Sequence, residues 1–188
     1  MYVSHSMKSK AFDRSEHVYK NDAFAELVKD AVRFFNGTPV HTLPPPESFL
    51  GTGVYAIYYT GKNSIYKKYA ELNRLSYSYP IYVGKAVPKG WRQARVSDNL
   101  IGQSKELFGR LREHSRSVAI SQGLELQDFS CRFVIFEGAS SDMIGTIEAA
   151  LNKAPRSKLR GINCALQSAG FQPAFAPRSG ELNPQRLN

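Results

Sequence analysis

An α+β fold is expected from two patterns in this 188-residue chain. Three runs rich in aromatic and β-branched residues, bounded mostly by glycines, prolines and polar residues, read as strands. Apolar residues at spacings of three and four fill segments before, between and after those runs, which reads as amphipathic helix. Two strands separated by a helical insertion pair most simply antiparallel. The expected architecture is therefore a small three-stranded antiparallel sheet flanked by helices, with an N-terminal helical extension.

Residues 1–20 are polar and short of apolar anchors, so they read as a flexible arm. From Asn21 to Asn36, Phe24, Leu27, Val28, Ala31, Val32 and Phe35 mark one face of a helix. Asn21 or Asp22 can cap its start and Gly37 can end it. Pro39 and the run Pro44-Pro45-Pro46 then predict a stiff extended linker, and residues 21–49 form a unit of helix plus linker. The first strand is Val54–Thr60. Residues 64–79 carry Ile65, Tyr66, Tyr69, Leu72 and Leu75 at helical spacing, and Ile81–Val83 is a second strand closed by Gly84. A basic, glycine-punctuated stretch over 86–105 reads as a surface loop. A helix over 104–121 buries Leu107, Leu111 and Val118 and places Arg110 and His114 one turn apart on a shared face. Phe129–Phe136 is the third strand, and Ser141 or Asp142 caps a helix holding Met143, Ile144, Ile147, Glu148 and Leu151.

Composition narrows the function. Lys and Arg number 25 against 16 Asp and Glu, a formal charge of +9, which favours a polyanion: nucleic acid first, an acidic membrane surface equally on charge alone. No apolar run reaches the roughly 18 residues of a membrane span, and no apolar stretch follows the first charges as in a secretory signal. Two cysteines, Cys131 and Cys164, are too few for a disulfide framework or a cysteine-built zinc site, and the four histidines form no metal-binding spacing. A cytoplasmic protein without membrane association is expected.

One ordered set of residues stands out. Gly53-Val54-Tyr55 opens the first strand, Tyr82-Val83-Gly84 closes the second, Arg110 and His114 follow on one helix, and Glu148 lies on another after the third strand. In this order the set resembles the GIY-YIG nuclease superfamily over residues 50–151, with Val54 and Val83 in place of isoleucines. Within it, the segments 12–19, 80–93 and 128–137 resemble type II restriction endonucleases that cut CCGCGG. The resemblance implies a Mg²⁺-dependent, site-specific deoxyribonuclease acting on double-stranded DNA, with a homodimer matching a palindromic target. A repair or homing nuclease on the same module, or a non-catalytic DNA-binding remnant, are the alternatives.

The residue types suit that chemistry. A single carboxylate, Glu148, can hold one Mg²⁺ when water and phosphate oxygens fill the other positions. Arg110 can donate two parallel hydrogen bonds to a phosphate gathering charge. The resemblance makes Tyr55 the general base, with His114 taking its proton and nearby cations favouring phenolate. Tyr82 would orient the water or phosphate, and Lys85 would add positive charge. Lys89, Arg92, Gln93 and Arg95 in the basic loop suit guanine edges or phosphates, and Arg112 and Arg116 extend the cationic helix. Each residue also has an ordinary reading: strand aromatic, helix-packing histidine, or solvated charge.

The chain departs from the family after Leu151. Pro155 is expected to break the helix, and position 160, where the family's supporting asparagine is sought, is Arg160, with Asn163 in another context. Residues 152–188 are therefore expected to be an atypical tail, frameshifted, foreign or disordered, with a diverged natural tail as the alternative, which would leave Glu148 poorly supported and cleavage weak or absent. Lys153, Arg156, Lys158, Arg160, Arg178 and Arg186 against Glu181 place more than half of the net +9 in that segment.

Overall fold

The computed structural model describes residues 12–88, 91 and 103–153. The elements are α1 (Asp22–Gly37), β1 (His41–Thr42), β2 (Thr52–Tyr59), α2 (Lys67–Leu75), β3 (Tyr82–Ala86), α3 (Glu106–Ala119), β4 (Phe129–Phe136) and α4 (Ile144–Lys153). The fold is the expected α+β class. Its antiparallel sheet has four strands in the order β1-β4-β2-β3, one more than expected. The addition is the two-residue β1, whose His41 and Thr42 pair with Cys131 and Ser130. A strand that short has no period to read, and only its partner defines it.

β2 is central and buried along its whole length. Its side chains alternate between two cores. Tyr55, Ile57 and Tyr59 face α2 and α3, which supply Ala70, Leu107, Leu111 and Val118, with Tyr66 just before α2. Val54, Ala56 and Tyr58 face α1 and α4, which supply Phe35, Ile144, Ile147 and Leu151. Gly53 lies where a Cβ would collide with the Val134 carbonyl, so β2 and β4 meet there only because the residue is glycine.

The helix ends follow local chemistry. The Asn21 side chain accepts from the Phe24 N–H at 3.3 Å and caps α1 as expected. Gly37 stays helical, and Thr38 closes α1 by donating both its N–H and its hydroxyl to the Phe35 carbonyl. Val28, Ala31, Val32 and Phe35 lie against the core, whereas Phe24 and Leu27 remain exposed at the free end of the stripe.

The expected linker is part of the fold. Leu43 is buried in the core, and the His41 ring stacks on Phe133 with centroids 5.3 Å apart. Residues 12–20 of the expected arm hold an exposed 3-10 turn, Arg14–His17, capped by Asp13.

The segment 64–79 is less helical than its apolar spacing predicts: a 3-10 turn at Ser64–Tyr66 precedes α2, which ends at Leu75. Buried Asn73 takes over there. Its amide donates to the carbonyls of Tyr59 and Tyr79, and its oxygen accepts from the Tyr79 N–H. The chain is thereby turned into β3, leaving Ile65 and Leu75 outside. β3 runs through Gly84 and Lys85 to Ala86, beyond its expected end. α4 begins at Ile144 after a 3-10 turn, Gly138–Met143, and the Ser141 hydroxyl donates to Gly138 O within that turn rather than capping the helix. Among the described residues no helix is long and apolar enough to cross a membrane.

Candidate active site

Two aromatic hydroxyls meet a histidine on the α3 side of the sheet. Tyr55 on β2 pairs with Gly84 on β3. A Cβ at Gly84 would lie 2.8 Å from Tyr55 Oη and 2.7 Å from Tyr82 Cε1. The glycine therefore leaves the space into which both rings fold, with centroids 5.9 Å apart. From the other side, Leu107, Leu111 and Val118 seat α3 on the sheet and turn His114 inward. His114 Nε2 lies 2.8 Å from Tyr55 Oη, and its ring is 4.8 Å from that of Tyr82. The Tyr55 and Tyr82 hydroxyls also hydrogen-bond each other, so the three groups form one chain.

Burial sets the protonation of this chain. Desolvation pushes Tyr55 far above the usual phenol range, Tyr82 raises it further, and Arg110 opposes the shift. Burial lowers His114 to about 4, with Glu113 opposing and Arg110 assisting. Tyr82 is raised by burial first, then by the charge of Glu148, against its hydrogen bond with Tyr55 and the charge of Arg110. The expected cation-favoured phenolate is therefore overturned for the resting site, because desolvation outweighs the guanidinium. Moving the Tyr55 proton outright to His114 is unfavourable in the resting site, since burial opposes the charge on both groups.

Arg110 lies one turn before His114, half exposed, and its Nη1 donates to Glu113 Oε2 at 2.8 Å. Glu113 is a charged partner outside the expected set, although its i, i+3 spacing from Arg110 is present in the sequence. Arg112 and Arg116 are exposed and lie roughly 200° and 240° around α3 from Arg110, on the face away from Tyr55. The Arg112 guanidinium sits 5.9 Å over the Phe108 ring. Lys89, Arg92, Gln93 and Arg95 lie outside the described residues, as do Pro155, Arg160, Asn163 and the rest of 154–188.

Glu148 approaches from the opposite side of the sheet. On β3, Tyr82 and Ala86 face the α3 core while Val83 and Val87 face the α4 core, so Lys85 belongs to the α4 side. Lys85 Nζ lies 2.5 Å from Glu148 Oε2. The candidate site thus straddles the edge strand: the tyrosines and histidine on one face, the lysine and glutamate on the other. The field of Glu148 at Tyr82 crosses that edge.

Among the described residues no three His, Cys, Asp or Glu side chains converge on a metal position. Glu148 would act as a lone hard oxygen ligand. Its side chain is 24% exposed, and only Lys85 among the described residues bonds its carboxylate. That donor set suits Mg²⁺, which keeps several waters and uses one or two carboxylates plus phosphate.

A family model described as the Eco29kI GIY-YIG domain matches residues 47–160, a span that contains Tyr55, Tyr82, Lys85, Arg110, His114 and Glu148. No curated protein matches the chain.

Proposed function

Because the chain belongs to the Eco29kI GIY-YIG domain family of restriction-type nucleases, we propose that it hydrolyses phosphodiesters of double-stranded DNA at a short palindromic site. CCGCGG is the proposed target and a two-fold homodimer the proposed form, which would put one active site on each strand. The observation that carries the reading is the chain His114–Tyr55–Tyr82, with Nε2 and Oη 2.8 Å apart and Glu148 acting on its far end.

The proposed mechanism follows from the protonation states. Neutral His114 with a free Nε2 accepts the Tyr55 proton as Tyr55 takes one from the attacking water. Passing both protons in one motion avoids the isolated phenolate that burial disfavours. Tyr82 holds the water or phosphate in line. Arg110 turns its remaining N–H groups to the phosphate oxygens as charge develops. Glu148 would hold Mg²⁺, which supplies polarisation of the phosphate and relief of charge on the leaving oxygen. Lys89, Arg92, Gln93 and Arg95 are proposed to contact base edges or phosphates, and exposed Arg112 and Arg116 to contact phosphates.

A plasmid carrying CCGCGG, incubated with Mg²⁺, is expected to be cut only weakly at that sequence, because residues 152–188 leave Glu148 poorly supported, and Glu148→Ala is expected to abolish what cutting there is. Binding to the duplex without Mg²⁺-dependent cleavage would make the chain a DNA-binding module instead. Cutting at other sequences would overturn the target.

A further inference from the structure

The ion pair across the edge strand does more than add positive charge. Lys85 Nζ and Glu148 Oε2 are 2.5 Å apart, with side chains 22% and 24% exposed. Charges this sheltered are screened less than those of a surface pair. Lys85 is fixed by its backbone in the ladder opposite Val54, while Glu148 rides on α4. Among the described residues Lys85 and Glu148 form ion pairs only with each other, so one positive and one negative charge already balance. A divalent cation at Glu148 must therefore meet an ammonium that holds the same carboxylate.

We propose that Lys85 is a positioning residue that guards Glu148: it occupies Oε2 in the free protein, weakens divalent-cation binding there, and releases the carboxylate when a DNA phosphate offers the ammonium another partner. The inference rests on the reading of Glu148 as the metal ligand. It makes cation binding and DNA binding mutually reinforcing, since each favours the released carboxylate and the coupling is reciprocal. The site would then load its cation mainly on substrate.

The test is Mn²⁺ binding to the full chain without DNA, read by electron paramagnetic resonance. Lys85→Met keeps the aliphatic stem and removes the charge, and is expected to bind Mn²⁺ about tenfold tighter than wild type. Lys85→Arg keeps a cationic donor and is expected to bind as weakly as wild type. Lys85→Gln provides a second neutral variant should the methionine disturb folding, which thermal melts report. If both neutral variants bind no tighter than wild type while Glu148→Gln loses the ion, the guarding role is overturned and the metal reading stands. If Glu148→Gln binds Mn²⁺ like wild type, the metal reading falls and takes this inference with it. A short CCGCGG duplex with non-hydrolysable linkages is expected to tighten Mn²⁺ binding in wild type and much less in Lys85→Met. Equal tightening in both would overturn the proposed release.

Discussion

His114 has two distinct consequences, one for chemistry and one for stability. Burial holds it neutral, with its protonation lowered to about 4 against an ordinary value near 6.5. The unfolded chain therefore binds more protons between those values. The sign follows: the stability this neutral histidine contributes is complete above about pH 6.5 and is lost as the pH falls towards 4. The loss is about 3 kcal/mol. Urea denaturation across that window is expected to show the slope, and His114→Gln to flatten it. Gly84 carries a second prediction. Alanine there would press on Tyr55 and Tyr82 at 2.7–2.8 Å, so Gly84→Ala is expected to cost about 1–3 kcal/mol. The same change should reduce cleavage by displacing the two hydroxyls. Normal stability with normal activity would show that the rings can move aside freely.

Each element has a separate reason for its placement. α3 is held by Leu107, Leu111 and Val118, and the same helical spacing brings His114 inward while leaving Arg110 half in solvent. α4 is held by Ile144, Ile147 and Leu151, so Glu148, next to Ile147, is carried to the sheet edge rather than into the core. β3 depends on the turn before it. Asn73 satisfies three backbone groups of Tyr59 and Tyr79 from a position only 1% exposed. Asn73→Ala would leave those groups without their amide, at a cost of about 2–3 kcal/mol. It is expected to lower the denaturation midpoint with an unchanged urea dependence, and to loosen Tyr82 at the start of β3. A midpoint equal to wild type would remove Asn73 from the account of how β3 is placed.

Across the molecule, the two cores make the site bilateral. Helices on both faces of the sheet each bring one part of the chemistry, and edge strand β3 is where the parts meet. Arg110 and the Lys85–Glu148 pair are the parts of the site that reach solvent among the described residues, and the proposed function requires a large polyanion to approach there. The net charge of +9 suits such a partner, yet more than half of it lies in residues 152–188. Duplex binding is expected to weaken steeply with salt, because phosphate contacts release counterions. The slope of log affinity against log salt measures how many phosphates are contacted, and a slope near zero would remove the electrostatic part of the argument.

The residue types of the site, their order and their family resemblance were legible in the chain. So were α1, α3, β4 and the α+β class, since period and capping chemistry are local properties. β1, the full length of β3 and the early end of α2 were not. β1 and β3 are fixed by strands distant in sequence, β4 and β2, and the turn after α2 by the buried side chain of Asn73, whose bonds to Tyr59 and Tyr79 leave no period to read. The same holds for the chemistry. Tyr55 and His114 are 59 positions apart, and Lys85 and Glu148 are 63 apart. Pattern within a segment names such residues, but their burial, their protonation and the side of the sheet they occupy exist only once distant segments share a core.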